Sequence, residues 1–392
     1  MPGCAPLKGI RVLELAGYLS GPYAGGLLES LGAEVVKVEP VKGGDPFRRG
    51  QNEANAYFAQ YNAGKKSIAV NLKHPSGIAL IKALLPRFDV LLENARPGKT
   101  AALGLGPEVC RAINPHLIYA SVSGFGDGGP LRDRPAYDTI GQSLGGLISL
   151  MSDPGESKLT GACMVDLVTS LTCAAGILAA LVGRSRDPEQ RGDLMETSLL
   201  EGVTMVTVDA LTHFFETGES PTRESRHSNA HAFTMRTGGG GDIAVQASSS
   251  TVFWRSLMRV IGREELVADA RFGAYQDRLA NFDEIRAIVE AEFLKRPRAE
   301  WEELLLAADL PFAPVNSIED VVKHPQTEWL QLIETERDGR PLVRPPWRFS
   351  GERPHRLGAT PRVGAETQAI ASEVLPQSEI ERLLADGVLF ES

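Results

Sequence analysis

Two hydrophobic periods alternate along the first third of the chain. Ile10-Arg11-Val12-Leu13-Glu14-Leu15 alternates apolar and polar positions and then turns apolar, as a strand does when it enters a core. Gly21 and Pro22 open a helix of small residues that runs through Leu31 and stops at Gly32. Glu34–Val38 is the next predicted strand, giving a βαβ unit and hence parallel strands. The pattern then predicts a strand over Ser67–Leu72, a helix near Pro75–Phe88 and a strand over Val90–Glu93. A helix over Pro107–Ile113 and a strand over Leu117–Ser121 follow. The fold class is therefore α/β, with an open, doubly wound sheet.

Further along, Val165–Val182 is almost wholly apolar and predicts a buried helix, and Met195–Phe215 predicts a longer, mixed one. The polar run Glu216–Arg226 is a candidate linker. Gly238–Gly241 precedes a predicted strand over Asp242–Ala247. Helical patterns come next at Thr251–Ile261, Phe282–Leu294 and Ala299–Ala308. Gly238 to about Gln326 thus suggests a smaller α+β domain. Arg340–Arg356, rich in Pro and Arg, predicts extended chain, and Pro376–Ala385 a final helix.

Length agrees with this partition, since 392 residues suggest two or three domains at roughly 150 residues each. The formal net charge of -9 argues against nucleic acid as the main partner, while leaving room for a basic pocket that holds a phosphorylated ligand. The apolar run around Leu171–Val182 is shorter than the ~20 residues a bilayer needs. Met1–Cys4 lacks the basic-then-apolar start of a secretory signal. The 4 cysteines form no CxxC pair, so neither a zinc site nor a redox motif is expected, and the expected compartment is the cytoplasm.

The chemistry-bearing motifs are few. The GxGxxG fingerprint of dinucleotide binding is missing after the first strand, where Gly17-Tyr18-Leu19-Ser20-Gly21-Pro22 stands instead. That loop still lies where open α/β sheets bind ligands. Ser121–Pro130 runs from a strand into a glycine-rich turn, which allows positive φ and close approach of a ligand to the backbone. His227 and His231 have i, i+4 spacing but lie in a polar stretch without a nearby third ligand, so no metal site is expected. Asp166 stands at the head of the apolar helix. Two readings are open: an N-cap, or a carboxylate nucleophile toward a thioester, kept ionised by the helix N-terminus.

Taken in order, these residues resemble the class III CoA-transferases, the CaiB/BaiF family that includes formyl-CoA:oxalate and carnitine CoA-transferases. The resemblance spans nearly the whole chain, from Leu7-Lys8-Gly9-Ile10-Arg11-Val12-Leu13-Glu14 onward. Gly32–Glu39, Gly43-Gly44-Asp45-Pro46, Asn62-Ala63-Gly64-Lys65-Lys66-Ser67-Ile68 and Glu93-Asn94-Ala95-Arg96-Pro97-Gly98 carry it. So do Asn114-Pro115 with Ser121–Pro130, Asp166 ahead of Gly176–Leu181, Pro311–Val315 and His324-Pro325-Gln326.

The resemblance implies an interlocked homodimer. A Rossmann-like large domain is expected over residues 1–220 with a return segment at 331–392, and a small α+β domain with linker over 221–330. It also implies that Asp166 is the catalytic aspartate. CoA contacts are expected at Leu19 and Ser20, at Val70, Asn71, Leu72 and Lys73, at Asn94, Ala95 and Arg96, and at Pro135, Ala136, Tyr137 and Asp138. CoA or acyl-CoA is then a substrate, with no tightly bound cofactor, and small carboxylic acids are the other partners. Neither nucleic acid nor membrane is an expected partner.

Gly17, Leu19, Pro40 and Ala102 depart from residues common in the family, so Lys42, Arg48, Lys73 or Arg96 are expected to hold the nucleotide phosphates instead. Arg48, Arg49, Arg132 and Arg134 are candidates to clamp an acid substrate. Gly238–Gly241 resembles a glycine-rich lid of some relatives, with a plain flexible turn as the other reading. The alternative activity is that of an α-methylacyl-CoA racemase, which needs an acid/base pair. Racemase relatives place a histidine where this chain has Tyr137, a poor base at neutral pH with an ordinary pKa of about 10. A non-catalytic CoA-binding protein is a third reading, against which the presence of Asp166 argues.

Overall fold

The computed structural model describes residues 5–50, 55–335, 339–354 and 358–392. Met1–Cys4 and the end of the Pro- and Arg-rich run, residues 355–356, lie outside them. Six parallel strands form the central sheet: β1 (Arg11–Glu14), β2 (Glu34–Glu39), β3 (Lys66–Val70), β4 (Val90–Glu93), β5 (Ile118–Ser123) and β6 (Leu194–Ser198). Their order is β3-β2-β1-β4-β5-β6, so the winding direction reverses between β1 and β4. A late strand, β10 (Leu389–Phe390), adds antiparallel to β3, pairing Leu389 with Val70.

The sheet's central strands are buried on both faces, and the charged residues they carry, Glu14, Lys37, Glu39 and Glu93, are buried with them. Leu13, Val36 and Leu91 point into one core with Leu80, Ile81, Leu84, Ile380 and Leu383. Their neighbours Val12, Val35 and Leu92 point into the other, with Leu27 and Leu28 of the Ser20–Ser30 helix and Cys173 and Ile177 of the Met164–Arg186 helix. The result is a three-layer α/β/α arrangement.

Two predicted elements differ. The single helix expected over Met195–Phe215 is a strand, β6, followed by a helix over Leu199–Thr217. Pairing with β5 from Tyr119↔Leu194 to Ser123↔Ser198 claims the first residues. Ser198 then starts the helix, its Oγ accepting from Glu201 N and donating to Glu201 Oε2. The apolar run near Leu171 is also part of a 23-residue helix, Met164–Arg186, long and apolar enough by composition to span a bilayer. It serves instead as a layer of the core: Val165, Thr169, Cys173 and Ile177 form its buried face.

Contacts divide the chain into two compact units. The first comprises residues up to Ile148 with Leu159–Asp209 and Glu328–Ser392. The second comprises Ser149–Lys158 and Ala210–Thr327, so it starts inside the Leu199–Thr217 helix instead of after residue 220, and includes a short earlier segment. It holds a three-stranded sheet of β7 (Ala232–Arg236), β8 (Asp242–Gln246) and β9 (Phe312–Pro314), backed by Trp254, Phe293 and Trp301. β7 has no counterpart in the sequence-based expectation. The Gly238–Gly241 run is the turn that joins β7 to β8. Gly239, Gly240 and Gly241 have φ of 82°, 98° and 82°, and Thr237 Oγ1 bonds back to the carbonyls of Gly240 and Gly241.

Candidate active site

The reversal of winding makes the loops after β1 and β4 diverge, and a cavity of about 180 Å³ opens there. Asn94, just past β4, binds the β1 loop like a neighbouring strand: its Oδ1 accepts from Gly17 N at 2.9 Å and its Nδ2 donates to Gly17 O at 2.8 Å. Tyr18, the next residue, has a left-handed φ of 63°, held by Asp45 Oδ1, which accepts from Tyr18 N at 3.2 Å. A side chain at Gly21 would put its Cβ 2.4 Å from that of Ala16, so glycine is required where the turn meets its helix.

The opposite wall comes from the end of β5 and from the segment leading into the Asp138–Leu144 helix. Gly124 lets that segment approach, since a Cβ there would lie 2.5 Å from Ala136 Cβ. Asp138 Oδ1 accepts from the backbone N–H groups of Val165 at 2.8 Å and Asp166 at 3.1 Å, while Gln142 Nε2 donates to Oδ2. Asp138 thus caps the Met164–Arg186 helix from outside it. The cap reading of Asp166 is corrected: Asp166 is the third residue of this helix, and its own carboxylate has no hydrogen-bond partner among the described residues.

Asp166 lines the cavity, and burial, with the Asp138 charge as the second cause, pushes its pKa up to about 7. The expectation that the helix N-terminus keeps it ionised near neutral pH meets a larger opposing effect. A helix terminus contributes about 0.3–1 kcal/mol. A rise from 3.8 to about 7 corresponds to about 4 kcal/mol in the other direction.

Leu19, Ser20, Asn94, Ala95, Arg96, Pro135, Ala136 and Tyr137 line the same cavity as Asp166. Asp138 does not, because its carboxylate is turned to the helix end. Val70, Asn71, Leu72 and Lys73 lie instead in a cavity of about 540 Å³ at the ends of β1, β2 and β3, with Gly17, Lys42 and Asp45. Gly17 and Tyr18 are consecutive, one on each cavity, so the β1 loop is the shared wall.

The candidate cations separate by burial. Arg48 is corrected as a phosphate or acid ligand: it is fully buried, its Nε and Nη2 each 2.7 Å from a Glu39 oxygen, and its guanidinium lies 3.8 Å over the Phe58 ring. Arg49 packs over Phe47 and Tyr57. Arg132 pairs with Asp127 and Asp133 and faces a different cavity. Arg96 and Arg134 are exposed at the Asp166 cavity without an acidic partner among the described residues, and Lys42 and Lys73 are exposed at the second cavity. His231 is buried against Tyr275 and Phe282, and burial with Arg278 nearby lowers its pKa to about 4. His227 pairs with Glu224.

Sequence reasoning did not name Tyr18, Pro97, Val122, Ser123, Gly124 and Leu199 as contacts, although all but Leu199 lie in motifs it singled out. Tyr18 and Pro97 adjoin predicted contacts. Leu199 was hidden because its helix and the strand before it read as one element.

A carboxylate without a hydrogen-bond partner among the described residues thus lines a cavity at the carboxyl ends of a doubly wound sheet, beside a second, lysine-flanked cavity. The model of "CoA-transferase family III" matches residues 7–367. The chain is 32% identical to the succinyl-CoA:glutarate CoA-transferase of Mus musculus over 98% of this chain and 90% of that protein. It is 32% identical to the acetyl-CoA:oxalate CoA-transferase of Acetobacter aceti over 94% of this chain and 95% of that protein. A solved CaiB/BaiF family protein from Brucella suis superposes with a TM-score of 0.81 at 31% identity, covering 94% of this chain and 99% of that one. The chain belongs to CoA-transferase family III and is a CoA-transferase.

Proposed function

We propose that the enzyme moves CoA from an acyl-CoA to a small dicarboxylic acid, with Asp166 as the covalent relay. The observation that carries this reading is the Asp166 carboxylate itself: it lines the cavity and is spared capping duty by Asp138. A carboxylate oxygen of Asp166 attacks the thioester carbonyl, the C–S bond breaks, and CoA thiolate leaves a mixed anhydride. The thiolate then attacks the Asp166 carbonyl of that anhydride, freeing the donor acid and forming an aspartyl-CoA thioester. The acceptor carboxylate attacks this thioester and expels CoA thiolate. The thiolate finally takes the acyl group from the second anhydride and regenerates Asp166. CoA enters and leaves as substrate, and no tightly held cofactor is needed.

The thioester lies at Asp166 and the nucleotide end extends past the Gly17–Tyr18 wall toward Lys42 and Lys73. Relatives named for glutarate and oxalate support a dicarboxylic acceptor. Arg96 and Arg134 supply positive charge at the cavity for its second carboxylate. The enzyme works as an interlocked homodimer. Met205, Val208, Phe214 and Phe215 of the Leu199–Thr217 helix are exposed in the single chain and mark part of the face such a partner covers.

The test is incubation with succinyl-CoA in the absence of acceptor. A CoA or succinyl adduct on Asp166, cleaved by hydroxylamine and absent from Asp166→Asn, is expected. Exchange of the α-proton with deuterated water and no adduct at Asp166 would instead establish racemase chemistry.

A further inference from the structure

The wall between the two cavities is held by a buried charge network that the transfer chemistry does not use. Lys37 Nζ, fully buried, donates to Ala16 O at 2.7 Å and lies 3.0 Å from Glu14 Oε1 and 2.8 Å from Asp45 Oδ2. Lys65 Nζ, also buried, donates to Glu14 Oε2 at 2.7 Å. Asp45 Oδ1 accepts from both Tyr18 N and Phe47 N, and its backbone N–H donates to Glu39 Oε2 at 2.8 Å. One carboxylate therefore joins three things: Lys37 of β2, the turn after β2, and the left-handed residue that divides the cavities.

We infer that Asp45 is a positioning residue that couples the two cavities, so that occupation of the nucleotide side fixes the Tyr18 wall beside Asp166. This rests on the reading that CoA spans both cavities. Asp45 is buried at the edge of the second cavity, and its carboxylate is taken up by Lys37 and by the N–H groups of Tyr18 and Phe47, so it acts through Tyr18 and away from the reacting thioester. Substitution by Asn keeps the shape but not the electrostatics. The new amide must turn its NH₂ either toward the Lys37 ammonium or toward the N–H groups of Tyr18 and Phe47, and each choice opposes donor to donor.

A thioester that reaches only the Asp166 cavity does not draw on this coupling. The experiment compares kcat/KM for succinyl-CoA with that for succinyl-pantetheine, glutarate being the acceptor, in wild type, Asp45→Asn and Tyr18→Gly. Glycine relaxes the left-handed position from the other side of the same contact without touching the buried charges. The ratio of the two kcat/KM values is expected to fall about tenfold or more in both variants. A merely structural role lowers both rates in proportion, so a ratio within about twofold of wild type in the variants overturns the inference. Should Asp45→Asn fail to fold, the ratio for Tyr18→Gly decides alone. A wild-type enzyme that turns over both thioesters with equal kcat/KM refutes the spanning reading, and the coupling with it. One that prefers succinyl-CoA, with an unchanged ratio in the variants, refutes the coupling only.

Discussion

Replacing Asp138 by Asn should make Asp166 ionise at lower pH while leaving the helix capped. The amide oxygen of Asn can accept from the Val165 and Asp166 N–H groups, as Asp138 Oδ1 does now. What disappears is one negative charge beside Asp166, the second cause of its raised pKa after burial, together with the bond that Gln142 Nε2 donates to Oδ2. As a scale, two like unit charges about 4 Å apart repel by about 4 kcal/mol at an effective dielectric of about 20 and by about 1 kcal/mol in bulk water. Asp166 is half-buried, so about 1.4 kcal/mol, or about one pH unit, is the expected change.

The sign follows directly. Removing a like charge favours the ionised form, so the pKa falls from about 7 toward roughly 6. The assay is kcat/KM for the acyl-CoA donor across roughly pH 5 to 9, whose acid limb reports the free enzyme. Wild type should rise with pH through about 7. At pH 6 the ionised fraction should be about fivefold higher in the variant, and near pH 8 almost equal. An acid limb that stays in place, or moves to higher pH, would refute the electrostatic account of Asp166.

The same raised pKa bears on stability. Between the unfolded value of 3.8 and about 7, the folded protein holds the Asp166 proton more tightly than the unfolded chain does, so stability is lost as pH rises through that window. Asp166→Asn should therefore lose transfer yet gain thermal stability relative to wild type as pH rises from about 4 to about 7, by up to about 4 kcal/mol; equal melting curves across that range would contradict this. Arg48→Met should destabilise the fold by about 3–5 kcal/mol, because it leaves buried Glu39 without its guanidinium, as urea unfolding can measure. If Arg48 served CoA binding instead, the folded variant would show a raised KM at unchanged stability. The proposed dimer should persist on dilution, since interlocked chains would separate only by unfolding; sedimentation at nanomolar concentration showing a folded, active monomer would overturn that proposal.

Much of the fold was legible because a sheet buried on both faces leaves its strands apolar and its helices amphipathic. Val90–Glu93 and Pro107–Ile113 have the predicted bounds for that reason. β6 was not legible: Leu194–Ser198 is a strand only because β5 offers it a partner, and no local pattern records a neighbour so distant in sequence. β7 was hidden in the same way, since its pairing with β8 is what turns Gly238–Gly241 into a hairpin turn.

The site shows a similar division. Asp166 could be singled out from its place at the head of an apolar helix. That Asp138 performs the capping was invisible, because it depends on two helices meeting where Gly141 has no side chain to hold off Val165. Arg48 misled because sequence shows charge but not burial, and only the fold places Glu39 and Phe58 around it.

The pairing of β10 with β3 also orders events during synthesis. β3 leaves the ribosome long before Leu389 and Phe390, so until then its outer edge has no partner strand. Asn71, whose N–H donates to Val388 O, waits for the same late segment, and it lies on the second cavity beside Lys73. Closing so long a loop is slow. A nascent chain can therefore assemble β1, β2 and the Asp166 helix while the floor of its second cavity is still unfinished, a period in which the open edge invites pairing with other chains.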